Sequence, residues 1–148
     1  MRVLLQRVSR ASVRVRDELV AEIGPGLLLL VGVGKDDGFG EYDRLAEKVV
    51  NLRVFEDEQG KMNRSLTEVG GEILVVPQFT LYGDVRKGRR PSWDAAAPPE
   101  TAADRVEAFA RALEARGASV RRGAFREHMQ VELVNDGPVT LWIDAAER

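Results

Sequence analysis

The first part of the chain alternates apolar and polar residues, which is typical of a strand with one buried face. The apolar members of this pattern occupy odd positions: Val3, Leu5, Val13 and Val15. We expect this long strand to turn at residues 16–18 and to pair with a second strand over residues 19–23. The following run, residues 27–33, is apolar apart from Gly32 and predicts a central strand covered on both faces.

Two later segments carry apolar residues at the spacing of an amphipathic helix. They cover residues 41–53 and 99–116, and Gly117 suits the end of the second helix. Between them, the apolar run 72–81 predicts another core strand. Pro77 interrupts this run because proline has no N–H for a ladder hydrogen bond.

Three closing strands are predicted over residues 120–125, 129–134 and 139–143. We expect the last two to form a hairpin through the Asn-Asp-Gly-Pro sequence at 135–138. The order of strands and helices indicates an α+β fold with a mostly antiparallel or mixed sheet and two main helices. The whole chain, residues 1–148, is predicted to form one domain.

The composition narrows the functional classes. At 148 residues and 44% apolar content the chain can fill one core, and the absence of cysteine excludes disulfides and thiolate chemistry. A net charge of −2 argues against a protein that grips long nucleic acid through many phosphates. No segment has the length and apolarity of a signal peptide or a membrane span, so we expect a cytoplasmic protein.

The end of the fourth predicted strand, Pro77-Gln78-Phe79-Thr80, brings an amide, an aromatic ring and a hydroxyl together. A strand break at Pro77 would expose backbone N–H groups that can stabilise an oxyanion. The alternative is that Thr80 is an ordinary strand threonine.

Gly137-Pro138 also has two interpretations. It is either part of a plain turn or a cis peptide, which an Xaa-Pro bond can adopt at low free-energy cost. A rigid element with so little side chain could approach the α-carbon of a ligand closely, as a chirality filter requires.

Other candidate sites are less specific. The loop 83–99 joins four cations to an aromatic ring, Trp93, and is either a solvated loop or a contact for the end of a nucleic acid. His128 has no partner at metal-ligand spacing and is a loop histidine, a general base or a phosphate contact. The chain lacks the glycine patterns of NAD and ATP sites and the nucleophile elbow of a Ser-His-Asp enzyme.

These residues resemble those of the bacterial and eukaryotic D-aminoacyl-tRNA deacylases, also called D-tyrosyl-tRNA deacylases. The likeness extends over nearly the whole chain. Its segments are residues 1–13, 51–55, 60–63, 78–81, 88–92 and 135–140, together with Gly123, Phe125 and Met129.

The resemblance implies a barrel-like sheet and a tRNA-binding homodimer with two active sites at the subunit interface. It implies hydrolysis of the ester that joins a D-amino acid, or glycine mischarged on the alanine tRNA, to the terminal adenosine, with no metal or other cofactor. Gly137 and Pro138 would form the family's cis motif, which enters the partner's site and rejects L-amino acids. Arg7 would hold that motif in its orientation.

The same resemblance makes Gln78, Phe79 and Thr80 the catalytic stretch, and it places Phe125 and Met129 around the adenosine. Backbone N–H groups of Phe79 and Thr80 would bind the ester carbonyl. Thr80 could be the nucleophile, but we favour activation of water by the ribose 2′-hydroxyl of the substrate, with Thr80 as a positioning residue.

The chain departs from the family pattern at two places. Pro77 replaces the usual serine, as in related animal deacylases that act on L-alanine mischarged to tRNA, and residues 126–128 replace the common Gly-Ala-Asp. Two alternatives therefore stay open: a deacylase with relaxed chirality, and a DNA-binding module that uses the basic loop around Arg89.

Overall fold

A computed structural model describes residues 1–38 and 40–147 of the chain. Its strands are β1 (Arg2–Val15), β2 (Glu18–Ile23), β3 (Gly26–Gly32), β4 (Phe55–Glu56), β5 (Met62–Arg64), β6 (Glu72–Pro77), β7 (Ser119–Arg122) and β8 (Gln130–Asp144). Its helices are α1 (Glu41–Asn51), α2 (Leu66–Val69), α3 (Pro99–Ala115) and a short 3₁₀ helix (Phe79–Tyr82).

The long strand β1 organises the sheet. One side of β1 pairs antiparallel with β3 and then with β2, and its other side pairs antiparallel with β8. Parallel pairing continues the sheet from β3 to β6 and from β6 to β7. This mixed sheet is nearly closed like a barrel, so the α+β prediction is confirmed.

The central strands β3 and β6 are buried on both faces, as their unbroken apolar sequences predict. Alternate side chains enter two different cores because successive residues of a strand point to opposite faces. Leu29 and Val75 pack in the core beneath the helices, whereas Leu28 and Leu74 pack in the core inside the curled sheet. Both strands are therefore held firmly, and their ends are well placed to carry a site.

Helices α1 and α3 cover one face of the sheet with the apolar stripes that the sequence predicts. The buried residues of α3 are Ala102, Val106, Phe109, Ala110 and Leu113. Pro99 begins α3, and Gly117 follows its end with a positive φ of 90°. In the described ranges no helix is long and apolar enough to cross a membrane.

Three predictions of local structure are wrong. Residues 79–82 form a 3₁₀ helix where the sequence predicts the end of a strand, and strand β7 ends at Arg122 before the predicted residue 125. The predicted hairpin at 135–138 is instead a bulge within the single strand β8. β8 stays in one piece because both of its halves pair with the same strand, β1.

Candidate active site

A cleft of about 690 Å³ opens at the carboxyl ends of the parallel strands β3 and β6. This is where α/β arrangements commonly bind ligands, because the chain leaves the sheet there in loops. The walls come from β3, β6, α3 and the segment before β8. Its lining residues include Val31, Val33, Pro77, Gln78, Phe79, Thr80, Trp93, Ala102, Val106, Phe125, His128 and Met129. The predicted residues 77–80, 125 and 129 are thus brought together in one place.

Pro77 fits the end of β6 without loss of a ladder hydrogen bond. The Gln78 N–H donates to the Val31 carbonyl at 2.7 Å, so alternate N–H groups of β6 face β3 and the nitrogen of Pro77 faces the other neighbour. That neighbour, β7, pairs with β6 only as far as Val75 opposite Arg122. Proline is therefore accommodated because no partner strand remains beside it.

The chain then winds into the 3₁₀ helix, and this turn exposes two backbone donors. Its first hydrogen bond runs from the Leu81 N–H to the Gln78 carbonyl. The N–H groups of Phe79 and Thr80 precede that bond, so they have no acceptor within the helix. Among the described residues, no other acceptor forms a hydrogen bond with these two N–H groups. Two adjacent unpaired donors on a cleft wall can bind a carbonyl oxygen or an oxyanion.

The Thr80 side chain is not part of a nucleophile and base pair. Its hydroxyl accepts a hydrogen bond from the Gln78 side-chain amide. Within residues 1–38 and 40–147, no histidine or carboxylate contacts that hydroxyl. The pair therefore orients the hydroxyl, and it offers no group that could remove the hydroxyl proton.

The cleft is lined by rings and aliphatic side chains next to these donors. The rings of Phe79 and Trp93 meet edge to face with centroids 5.2 Å apart. The Met129 sulfur accepts a hydrogen bond from the Ala124 N–H at 3.3 Å, and both Met129 and Phe125 line the cleft. Such a chamber suits a flat, partly apolar group such as a nucleobase.

Residues 126–128, which differ from the family pattern, form the rim of the cleft. All three are exposed, and Arg126 has a positive φ of 62°. Glu127 pairs with Arg16 at 3.2 Å. The described residues contain no group of three or more carboxylate or histidine side chains suited to a metal ion.

A basic hairpin immediately precedes Trp93, which lines the cleft. Asp84 and Ser92 exchange two backbone hydrogen bonds, of 2.8 and 2.9 Å, and close the hairpin at its base. Arg86 folds back and donates to both carboxylate oxygens of Asp84 at 2.9 and 2.7 Å. The guanidinium lowers the pKa of the Asp84 carboxyl to about 2.

Gly137 and Pro138 lie away from this cleft. Between the pairs Gln6–Thr140 and Val8–Asn135, β1 contributes the single residue Arg7 and β8 contributes four residues, which must bulge outward. The bond between Gly137 and Pro138 is cis, and both residues are exposed. Neither they nor Arg7 line the cleft of their own chain.

The buried Arg7 side chain holds the bulge in place by hydrogen bonds. Only 6% of this residue is exposed. Its guanidinium donates to the Asp136 carbonyl at 3.1 Å and to the Val54 carbonyl at 2.7 Å. Gly137 has a φ of 127°, and a Cβ placed on it would lie 3.0 Å from the Arg7 guanidinium. The position therefore admits glycine best, and Arg7 ties the bulge to the segment after α1.

Comparison with known proteins identifies the family. A family model for D-Tyr-tRNA(Tyr) deacylase matches residues 4–144. The chain belongs to this deacylase family. A D-aminoacyl-tRNA deacylase of Thermomicrobium roseum is 62% identical to it over 147 residues, covering 99% of this chain and 96% of the relative. One of Symbiobacterium thermophilum is 57% identical over 145 residues, covering 98% and 96%.

Two solved structures share the fold of this chain. The solved structure of a c-Myc DNA Unwinding Element Binding Protein has a TM-score of 0.91 and 40% identity, covering 97% of this chain and 98% of its own. A probable eukaryotic D-amino acid tRNA deacylase has a TM-score of 0.78 and 19% identity, covering 96% and 97%, and shows likeness of fold alone. The resemblance noted from the sequence is confirmed, as is the expectation of a hydrolase of the D-aminoacyl-tRNA deacylase kind.

In this member of the deacylase family, the sequence patterns do not reveal much of the cleft. Val31, Val33, Ala102 and Val106 line it, but in the sequence they belong to ordinary apolar core patterns. Trp93 is predicted as a contact for nucleic acid, and its packing on Phe79 places it in the cleft itself. The signal in the sequence is the position of Val33 and Ala102 near the ends of predicted elements, where a strand or helix meets a loop. Val106, in the middle of its helix, carries no such signal.

Proposed function

We propose that the chain hydrolyses the ester bond of D-aminoacyl-tRNA and releases the free D-amino acid and tRNA. The observation that carries this proposal is the pair of unpaired N–H groups of Phe79 and Thr80 beside an aromatic and aliphatic chamber. That arrangement suits an ester whose alcohol part carries a nucleobase. Membership of the deacylase family and the names of the relatives support the same substrate.

The reaction uses backbone donors and the substrate's own hydroxyl. The terminal adenosine occupies the chamber beside Phe125 and Met129, and the N–H groups of Phe79 and Thr80 donate to the ester carbonyl oxygen. The ribose 2′-hydroxyl takes a proton from a water molecule as the water oxygen attacks the carbonyl carbon. The oxyanion then collapses, the bond to the ribose 3′ oxygen breaks, and that oxygen takes up the proton that the 2′-hydroxyl gives up. Thr80 positions the ester, since its hydroxyl has no base beside it.

Selection of the D-amino acid requires a second copy of the chain. The exposed bulge at Gly137 and Pro138 reaches into the partner's cleft, where its carbonyls hold the α-amino group and its backbone leaves no space for an L side chain. Glycyl-tRNA is accepted as well because glycine has no side chain to reject. The site is incomplete in one chain because these two residues lie outside its own cleft.

The outer edge of β8 is suited to this homodimer. Among the described residues, β8 pairs with β1 alone, so one edge of a 15-residue strand is unpaired. Large apolar side chains are exposed along it, with Val134 at 41% and Trp142 at 48%. An unpaired edge with exposed apolar groups is a natural surface for association with a second copy.

The test compares hydrolysis of D-tyrosyl-tRNA, L-tyrosyl-tRNA and L-alanyl-tRNA by the purified, metal-free protein, with sedimentation to determine the oligomeric state. We expect rapid loss of the D form alone, by a dimer. Loss of L-alanyl-tRNA at a similar rate would support the relaxed-chirality alternative. Survival of all the esters at their spontaneous rates would refute the deacylase proposal.

A DNA-binding role is the second candidate. One protein of similar structure is named for binding a DNA unwinding element, and the hairpin around Arg89 offers exposed cations. Tight and salt-sensitive binding of duplex DNA, without hydrolysis of any aminoacyl-tRNA, would favour it. The chain's net charge of −2 favours the enzyme.

A further inference from the structure

We infer that the hairpin 84–92 is an arm that binds the phosphodiester backbone of the RNA strand whose 3′ end occupies the cleft. The contacts come from the side chains of Lys87, Arg89 and Arg90. This inference rests on the proposed function and adds to it the part of the protein that holds the RNA beyond its terminal adenosine.

The arm is built to keep its shape without a ligand. Two backbone hydrogen bonds between Asp84 and Ser92 close its base. Arg86 is held by Asp84 through its side chain and also through its backbone N–H, at 3.0 Å. Gly88 takes a left-handed conformation at the tip, with a φ of 65°. The loop is thus a hairpin with internal supports, and binding need not order it.

The three remaining cations of the arm have no structural task. Lys87, Arg89 and Arg90 are exposed, and within the described part of the chain none of them forms an ion pair. Cations elsewhere commonly have carboxylate partners, as Arg111 has in Glu107. Unpaired guanidinium and ammonium groups are free to contact phosphate oxygens.

The charge distribution points to a local polyanion contact. Residues 84–92 contain four of the 22 cationic side chains and one carboxylate, that of Asp84, which pairs with Arg86, whereas the whole chain has a net charge of −2. Such a contrast concentrates positive potential on one projection of an otherwise acidic protein. A long nucleic acid laid across the whole surface would meet repulsion beyond the arm.

The arm, with its positive potential, is directly connected to the lining of the cleft. Its closing residue Ser92 is followed by Trp93, which lines the cleft and contacts Phe79. Phe79 is 55% exposed and Trp93 is 41% exposed, so their free surfaces can stack on a base next to the terminal adenosine. A strand that leaves the cleft past these rings reaches the cations of the arm.

The test uses a triple variant, Lys87→Gln with Arg89→Gln and Arg90→Gln, and a control triple variant, Lys48→Gln with Arg53→Gln and Arg111→Gln. Both remove three positive charges from exposed positions, and the control residues do not line the cleft. Two substrates are compared, D-tyrosyl-tRNA and D-tyrosyl-adenosine, which carries no phosphate. Binding of uncharged tRNA is measured separately.

Three phosphate contacts give log(kcat/KM) against log[KCl] a slope of about −2 to −3, since each contact contributes about −0.7 on single strands and −0.9 on duplexes. The factor that these three contacts add to kcat/KM for D-tyrosyl-tRNA therefore falls by roughly 20- to 40-fold between about 50 and about 200 mM KCl. We expect the arm variant to lack this part of the salt dependence and to bind uncharged tRNA more weakly at low salt. Its kcat/KM for D-tyrosyl-adenosine should equal that of the wild type.

An arm variant that matches the control variant on D-tyrosyl-tRNA and in binding uncharged tRNA would overturn the inference while leaving the deacylase intact. An equal loss on D-tyrosyl-adenosine would also overturn it, because that substrate has no backbone for the arm to hold. If duplex DNA of similar length is bound as tightly as tRNA, the arm is a general polyanion contact and the assignment to the substrate strand is wrong. If the wild type hydrolyses neither substrate, the proposed function fails and the role of the arm fails with it.

Discussion

The substitution Arg7→Lys tests how the bulge of β8 is held. The Arg7 guanidinium donates to two carbonyls at once, those of Val54 and Asp136. Lysine keeps the positive charge but presents one ammonium group in place of a planar fork, so it can satisfy at most one of these carbonyls in that geometry. The substitution therefore separates the bidentate hydrogen bonding from the charge.

The burial of Arg7 sets the size of the expected decrease in the free energy of unfolding. A hydrogen bond from a charged donor contributes about 1.5–3 kcal/mol, and a buried acceptor left without a partner costs about 1–3 kcal/mol. Since Arg7 is only 6% exposed, solvent can replace little of what is lost. We expect the free energy of unfolding to fall by about 2–4 kcal/mol, measured by urea denaturation at a fixed protein concentration. We also expect the preference for D-tyrosyl-tRNA over L-tyrosyl-tRNA to decrease, because the bulge is the proposed chiral filter.

A matched control lies on the same strand. Arg10 is 64% exposed and pairs with Glu132 at the surface, at 3.2 Å. Exposed pairs of this kind contribute little, so Arg10→Lys should change the free energy of unfolding by less than about 0.5 kcal/mol. An Arg7→Lys protein that is as stable and as selective as the Arg10→Lys protein would refute the reasoning.

Three further predictions concern the cleft and the arm. Thr80→Ala removes one hydrogen bond, so we expect kcat on D-tyrosyl-tRNA to stay within about tenfold of the wild type; a loss beyond about 10⁴-fold would make Thr80 a nucleophile. Gly83→Ala places a Cβ 2.6 Å from the Trp93 ring, so we expect the indole N–H resonance of Trp93 to shift and the KM for D-tyrosyl-tRNA to rise; an unmoved resonance would contradict this. The carboxyl of Asp84 should titrate at about pH 2 by ¹³C NMR, below its ordinary 3.8. Because the folded-state pKa is depressed, the pair with Arg86 stabilises the hairpin above about pH 3.8, and that stabilisation is lost as the pH falls through about 2. Arg86→Gln should return the midpoint toward 3.8, and an unchanged midpoint would show that the ion pair does not cause the shift.

The sequence by itself determines the local elements and several of their functional markers. The alternation in β1 and the helical spacing in α1 and α3 predict these elements to within a few residues, because such patterns depend only on neighbours within one element. Pro77 predicts a break in the backbone at the right residue. The segment that follows is nevertheless a 3₁₀ helix, since the exit from a strand depends on which partner strands remain beside it.

Only the tertiary structure decides the outline of the site. Val31 and Ala102 are typical core residues in the sequence, and they become cleft walls because β3 ends beside the beginning of α3. The sequence 135–138 is typical of a hairpin turn, yet β1 pairs with β8 on both sides of it and forces the four residues opposite Arg7 to bulge. Pairing register and the meeting of element ends depend on residues far apart in the chain. Local periodicity carries no information about those contacts, and this is why the sequence predicts the elements of this protein more completely than its site.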